Sequence, residues 1–315
     1  MPSDLTARLA PLRDWFFEEG DAAAAAAMRI GYGLVLLFML WDVSPVRDLL
    51  LGHAGYFGTL DPKYVAVGDP TELLFRFDSS LALRIYFGTF AAVALCATVG
   101  LCTRANLAAS LFLLLLFQKR NTYMLFGADG LLLQIAIWML FLRSGRVWSL
   151  DRVWRERRGR AIPRVIPLWP LKAIQLQVVA VYLVTGLTKI GTEPWQDGSA
   201  IYYGLRSLGS GLLPGLLDHK LALTLLTYGT LWVELSFAFL VFWKPTRWIA
   251  LLSAVALHAG IDALMSIRFF GPVMYLGLLS FVRPEEWLRV EAWVVARLSR
   301  RGQRSRVRSR AGETP

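Results

Sequence analysis

The sequence predicts an all-α, multi-pass transmembrane helix bundle with about eight hydrophobic segments, three of them short, and both termini cytoplasmic. Three observations carry this prediction. Apolar residues make up 56% of the 315 and the mean hydropathy is +0.47, above the roughly 45–50% apolar share of soluble domains. Charged residues are only 18% of the chain and cluster between long apolar runs. Those runs lack the strict alternation of barrel strands.

The elements follow in order. Residues 5–19 put Leu5, Leu9, Leu12 and Phe16 on one helical face, which predicts an interfacial helix within 1–21, although Pro11 interrupts the pattern. Eight apolar segments follow inside a transmembrane domain at 22–283: about 22–41, 82–102, 105–117, 128–142, 173–190, 222–243, 248–265 and 269–282. A span needs roughly 20 residues. The first, second, fifth, sixth and seventh segments meet that length, whereas the third, fourth and eighth suit tilted, buried or re-entrant helices. Pro284, Glu285 and Glu286 start an amphipathic helix over 284–299, with Trp287, Val290, Val294 and Leu298 as its apolar stripe. Residues 300–315 read as a basic, disordered tail drawn to anionic lipid.

Charge orients the bundle. With the N-terminus inside and eight alternating helices, 24 Lys and Arg residues fall inside and 10 outside, as the positive-inside rule requires. The net charge of +11 is therefore read as attraction to an anionic cytoplasmic leaflet, with no nucleic-acid partner. The two long outer loops, 43–80 and 191–220, suit either a lid or a simple cap. The first apolar run lacks a small-residue cleavage site and is expected to act as an anchor. Cys96 and Cys102 fall in one apolar segment, about 120° out of alignment on a helix, so core thiols are expected. His53, His219 and His258 lack ligand spacing, and no nucleotide-binding motif is present, so neither a metal nor a nucleotide is indicated.

A few polar residues interrupt the apolar segments. Lys189 ends the fifth and is followed by Gly191, Pro194 and Trp195. Ionisable groups at membrane depth are costly and point to function. Two readings fit Lys189: a base tuned by burial, or a cation snorkelling to the headgroups. Glu234 lies mid-segment and suits either proton chemistry or an interhelical bond. His258 and Asp262 sit one turn apart, which permits a direct contact or a proton relay. Arg268, and Asn121, Tyr123 and Asp129 at the break between the third and fourth segments, suit a polar cavity or helix caps.

Several stretches together resemble the membrane domain of vitamin K-dependent gamma-carboxylase and the wider bacterial HTTM-domain group. YLVTGLTKIGTEPWQDGSAIYYGL (182–205) is similar to that family's Tyr–Gly–Lys–Trp–Gly block. NTYMLFG (121–127) with RVWSLD (146–151) resembles a second block. ELSFAFLVFW (234–243) with LHAGIDALMSIRFF (257–270) resembles a third. The resemblance implies that Lys189 is the active-site base, with Glu234 and His258 at matching positions. It also implies a reduced naphthoquinone as co-substrate, oxidised by oxygen to an epoxide while a glutamate is carboxylated, and residence in a bacterial inner membrane. Two positions depart from the pattern: Thr122 stands where the family has a histidine, and Ile261 where it has an asparagine. No counterpart of the family's large extracytoplasmic domain, which grips protein substrates, is expected here, so the resemblance extends to quinone-linked oxygen chemistry more readily than to protein carboxylation. The alternative is a non-enzymatic membrane subunit, or a lipid-binding, small-molecule-binding or transport protein. Lys189→Met is expected to abolish turnover in the enzyme and leave folding intact in both cases.

Overall fold

The computed structural model describes residues 2–52, 79–120, 125–208, 214–265 and 267–311. Asn121, Thr122, Tyr123 and most of the 43–80 loop lie outside the described residues. Each of the eight apolar segments falls on a helix. These are α2 (Ala23–Val43), α4 (Ser80–Val99), α5 (Thr103–Arg120), α6 (Gly127–Phe141), α8 (Trp169–Ile190), α11 (Lys220–Leu240), α12 (Arg247–Met265) and α13 (Phe270–Leu279). Five stretches among the described residues are long and apolar enough to cross a membrane: Ala23–Leu51, Ser80–Val99, Trp169–Ile190, Lys220–Leu240 and Arg247–Met265. They match the five segments whose length suffices in the sequence.

Helix α2 is the interior member. Within its apolar stretch 72% is buried, against 22–28% for the other four. Ala22 to Ala26 are at most 1% exposed, because small side chains let neighbouring backbones approach closely. The other helices turn apolar side chains outward, among them Ile85, Val184, Leu225, Phe239 and Leu252. In a bilayer those faces meet lipid at no cost.

α13 explains one short segment. Its length is about 15 Å at 1.5 Å per residue, half the hydrocarbon thickness. It packs on α2, α6, α8 and α12, and Val273, Met274, Leu276, Gly277 and Leu278 are all buried. It is an apolar core helix.

Helix α4 ends at Val99, where Gly100 adopts φ +72° and Cys102 φ +42°. The chain leaves the helix there, so Cys102 is exposed and Cys96 only half-buried. The expectation of two core thiols on one helix is thereby corrected: a left-handed glycine cap ends the helix between them.

One end of the bundle carries most of the arginines, and long-range contacts tie it together. Arg29 on α2 is 0% exposed. It donates to the carbonyls of Ser144 (2.8 Å) and Trp148 (2.5 Å). Two three-residue strands, β1 (Glu19–Asp21) and β2 (Val165–Pro167), pair antiparallel. Strands this short carry no periodic signal, and the pairing spans four of the eight bundle helices in sequence, so nothing local announces it. Arg164 beside β2 bonds both Asp21 (2.8 Å) and Glu291 (2.6 Å), which locks α14 (Pro284–Ala311) to the ladder. Helix α14 runs on past 299 to Ala311, through a stretch expected to be disordered. Residues 300–311 contain no proline, and arginine is a good helix former. At the N-terminus, α1 spans Pro2–Phe16. Its Trp15 meets Phe242 edge-on at 5.8 Å and lies 4.8 Å from the Lys172 ammonium.

Candidate functional site

The site begins with helical periodicity. On α8 the buried positions include Leu171, Ile174, Val178, Tyr182 and Gly186. They form one stripe, and Lys189 follows it at the next turn. On α11 the buried positions are Leu223, Thr227, Thr230, Glu234 and Phe237. On α12 they include Ala250, Leu251, Ala254 and His258. α8 packs along α11, and α11 packs on α12. Gly186 permits the close α8–α11 approach: a Cβ there would lie 2.9 Å from a Leu235 methyl and 3.3 Å from the Glu234 Cβ.

This packing places the Lys189 ammonium directly on the Glu234 carboxylate, in a charge-assisted hydrogen bond through Oε1. The Glu234 side chain is 8% exposed and that of Lys189 27%, so the lysine keeps one open side. The Trp195 ring, delivered by α9 (Glu193–Gln196), lies 4.9 Å from Nζ. The second carboxylate oxygen, Oε2, is buried without a donor, because the neighbouring Thr185 hydroxyl gives its single proton to the Val181 carbonyl at 2.8 Å.

Beside this pair lies a second polar contact. The Tyr182 hydroxyl and His258 Nε2 are 2.7 Å apart. Tyr182 stacks on Phe237 at 4.2 Å, and His258 meets Phe270 edge-on at 5.1 Å. His258 Nδ1 is buried without a hydrogen-bond partner. Buried polar atoms left unpartnered are uncommon and call for an explanation.

Three of the expected residues, Lys189, Glu234 and His258, thus belong to the contacts that join α8, α11 and α12, and Trp195 of α9 packs on Lys189. Asp129, Asp262 and Arg268 do not, and Asn121 and Tyr123 lie outside the described residues. His258 turns to Tyr182, whereas Asp262 accepts the Gly271 backbone N–H at 3.0 Å. The i,i+4 spacing permits a His258–Asp262 contact, but packing of α13 against α12 offers Asp262 an N–H donor instead. Arg268 pairs with Asp42 at 2.9 Å. Asp129 caps α6 by accepting the Phe126 N–H at 2.8 Å. Asp42 and Asp129 border a cavity of about 130 Å³ with Met39, Phe117 and Phe269. Tyr182 and Gly186 fall in the Tyr–Gly–Lys–Trp–Gly block, but residue chemistry alone does not single them out. Their signal was position: Tyr182 and Lys189 are seven residues apart, two turns of one helical face.

A cavity of about 640 Å³ lies at the far end of α8, bordered by Trp15, Lys172, Gln175, Arg247 and Phe281. It is separated from Lys189 by the length of the helix. Among the described residues no cluster of His, Cys, Asp and Glu is suited to hold a metal ion.

Fold and site together define a multi-pass α-helical membrane protein with an interhelical ion pair at one end of its bundle. A family model for the HTTM domain matches residues 17–287, and the chain belongs to that family. No solved structure matches the chain.

Proposed function

We propose that this protein oxidises a reduced naphthoquinone with oxygen, and that the Lys189–Glu234 pair accepts the hydroxyl proton. The observation that supports this most is the unpartnered Glu234 Oε2 beside an ammonium that keeps one open side. The residues fit a quinol in chemical type. A carboxylate oxygen accepts from a hydroxyl, an ammonium stabilises developing negative charge, and aromatic rings suit a flat apolar body. When bound, the quinol would supply four electrons to dioxygen, two in passing to the quinone level and two in forming the epoxide, with one oxygen atom retained in the epoxide and the other released as water.

Glu234 and Lys189 exchange a proton across their hydrogen bond, so the pair can take up a proton without changing its partners. Tyr182 and His258 form a second donor–acceptor couple that can hold or pass a proton further into the bundle. Low dielectric around both couples strengthens each interaction. The charge distribution supports an orientation with Lys189 on the extracytoplasmic face of a bacterial inner membrane and the arginine-rich end facing the cytoplasm.

One observation favours a second reading. The ion pair satisfies Lys189 with a single neighbour and clamps α8 to α11, as a structural pair does in a non-enzymatic lipid-binding or transport protein. Anaerobic addition of reduced menaquinone to purified protein, followed by oxygen, separates the two. The enzyme yields epoxide and consumes oxygen, and Glu234→Gln and Lys189→Met abolish both in protein that still elutes as a folded species. Absence of epoxide from the folded wild-type protein across naphthoquinols favours the clamp.

A further inference from the structure

A second polar cavity, of about 440 Å³, opens at the arginine-rich end of the bundle. It lies between the start of α5, the turn at 143–146 and α7 (Leu150–Arg157). We propose that it binds a phosphate group.

Its lining includes four arginines, Arg104, Arg143, Arg146 and Arg155, and one carboxylate, Asp151. Asp151 is already committed: its two oxygens accept the Cys102 and Thr103 backbone N–H groups, each at 2.8 Å. None of the four arginines forms an ion pair among the described residues. Burial, and then the neighbouring Arg143, Arg155 and Arg104, hold the Arg146 guanidinium below the usual arginine range. An anion in the cavity relieves that mutual repulsion.

Two residues bordering the cavity carry buried hydroxyls. Thr103 is 4% exposed and Ser144 1%. Both line the cavity, and neither hydroxyl has a hydrogen-bond partner. Gly145 brings this turn onto Thr103: a Cβ at 145 would lie 2.7 Å from the Thr103 hydroxyl. Four guanidiniums offer more donors than the two oxygens of a carboxylate can accept. A tetrahedral phosphate presents acceptors in several directions and suits planar guanidinium forks.

Two sources carry this chemistry: the diester phosphate of an anionic phospholipid and a free phosphate or its soluble ester. Trp154 borders the cavity and is exposed, as suits a tryptophan at headgroup level. In the orientation favoured by charge, this end meets the anionic leaflet.

Native mass spectrometry of the full chain released from mild detergent tests the site. Phosphatidylglycerol is titrated against phosphatidylcholine, and inorganic phosphate is added as competitor. We expect a phosphatidylglycerol adduct formed at least tenfold more readily than the phosphatidylcholine adduct. Arg143→Gln/Arg146→Gln should weaken it about tenfold. Arg157→Gln/Arg160→Gln, with equal charge loss outside the cavity, should leave it unchanged. Competition by inorganic phosphate at millimolar concentration identifies the soluble source and also supports the site. The proposal is overturned if neither phosphate form binds, or if the two double variants weaken binding equally, since only a diffuse positive surface is then involved.

Discussion

Replacing Lys189 by Met should destabilise the folded bundle, contrary to the expectation from sequence that folding is untouched. The variant leaves the Glu234 carboxylate, 8% exposed, without its counter-charge. Removing one partner of a fully buried pair costs about 3–5 kcal/mol. The Lys189 side chain is 27% exposed, so solvent screens part of this, and about 2–3 kcal/mol is expected. Glu234→Leu should cost less, about 1 kcal/mol, because the freed ammonium can reach the headgroups. The double variant Lys189→Met/Glu234→Leu removes both charges and fills the contact with apolar atoms, so it should lie within about 1 kcal/mol of wild type. The coupling energy is then about 2–4 kcal/mol. Reversible unfolding in mixed micelles, followed by tryptophan fluorescence and far-UV circular dichroism, measures all four proteins. Additivity within about 0.5 kcal/mol refutes the reasoning, for it means that the two charges do not sense each other in the folded state.

Three further outcomes follow from the packing. Gly186→Ala should cost about 1–3 kcal/mol by overpacking against Leu235 and should also lower activity; unchanged stability would show that α8 and α11 separate freely. Arg29→Met should cost about 3 kcal/mol, through loss of two charge-assisted bonds to the Ser144 and Trp148 carbonyls, and should speed proteolysis in the 143–150 turn. The Asp21–Arg164–Glu291 lock should fail in acid. The Arg164 bond holds the Glu291 carboxyl below its ordinary value of 4.5. Burial raises Asp21, but the Arg164 and Ala23 bonds outweigh it and leave that carboxyl below 3.8. A carboxylate depressed by folding stabilises above its unfolded value, and that contribution fades as pH falls through the folded value. Hydrogen exchange in α14 should therefore rise below about pH 4.5, and Glu291→Gln should flatten the dependence.

Much of the fold was legible because a bilayer imposes a simple rule on sequence: long apolar runs become helices. The eight runs map onto eight helices, and length together with apolar content separates the five candidate spans from the other three. Lys189, Glu234 and His258 stood out because ionisable residues inside apolar runs are few. The partner of His258 did not. Tyr182 is as apolar in pattern as its neighbours, and only the neighbouring helix supplies its hydrogen-bond partner. His258 and Asp262 share a face, yet α13 draws Asp262 away.

The sequence by itself determined the helical class, the candidate spans and the scarce buried charges, since hydropathy and periodicity are local properties of the chain. Tertiary structure alone decided that α2 and α13 lie inside, that Lys189 meets Glu234 and that Tyr182 meets His258. It also decided that four arginines share one cavity. Those pairings join residues far apart in the chain, and they depend on close approaches such as Gly186 against Leu235. Steric fit between helices sets such contacts, and no local pattern encodes it.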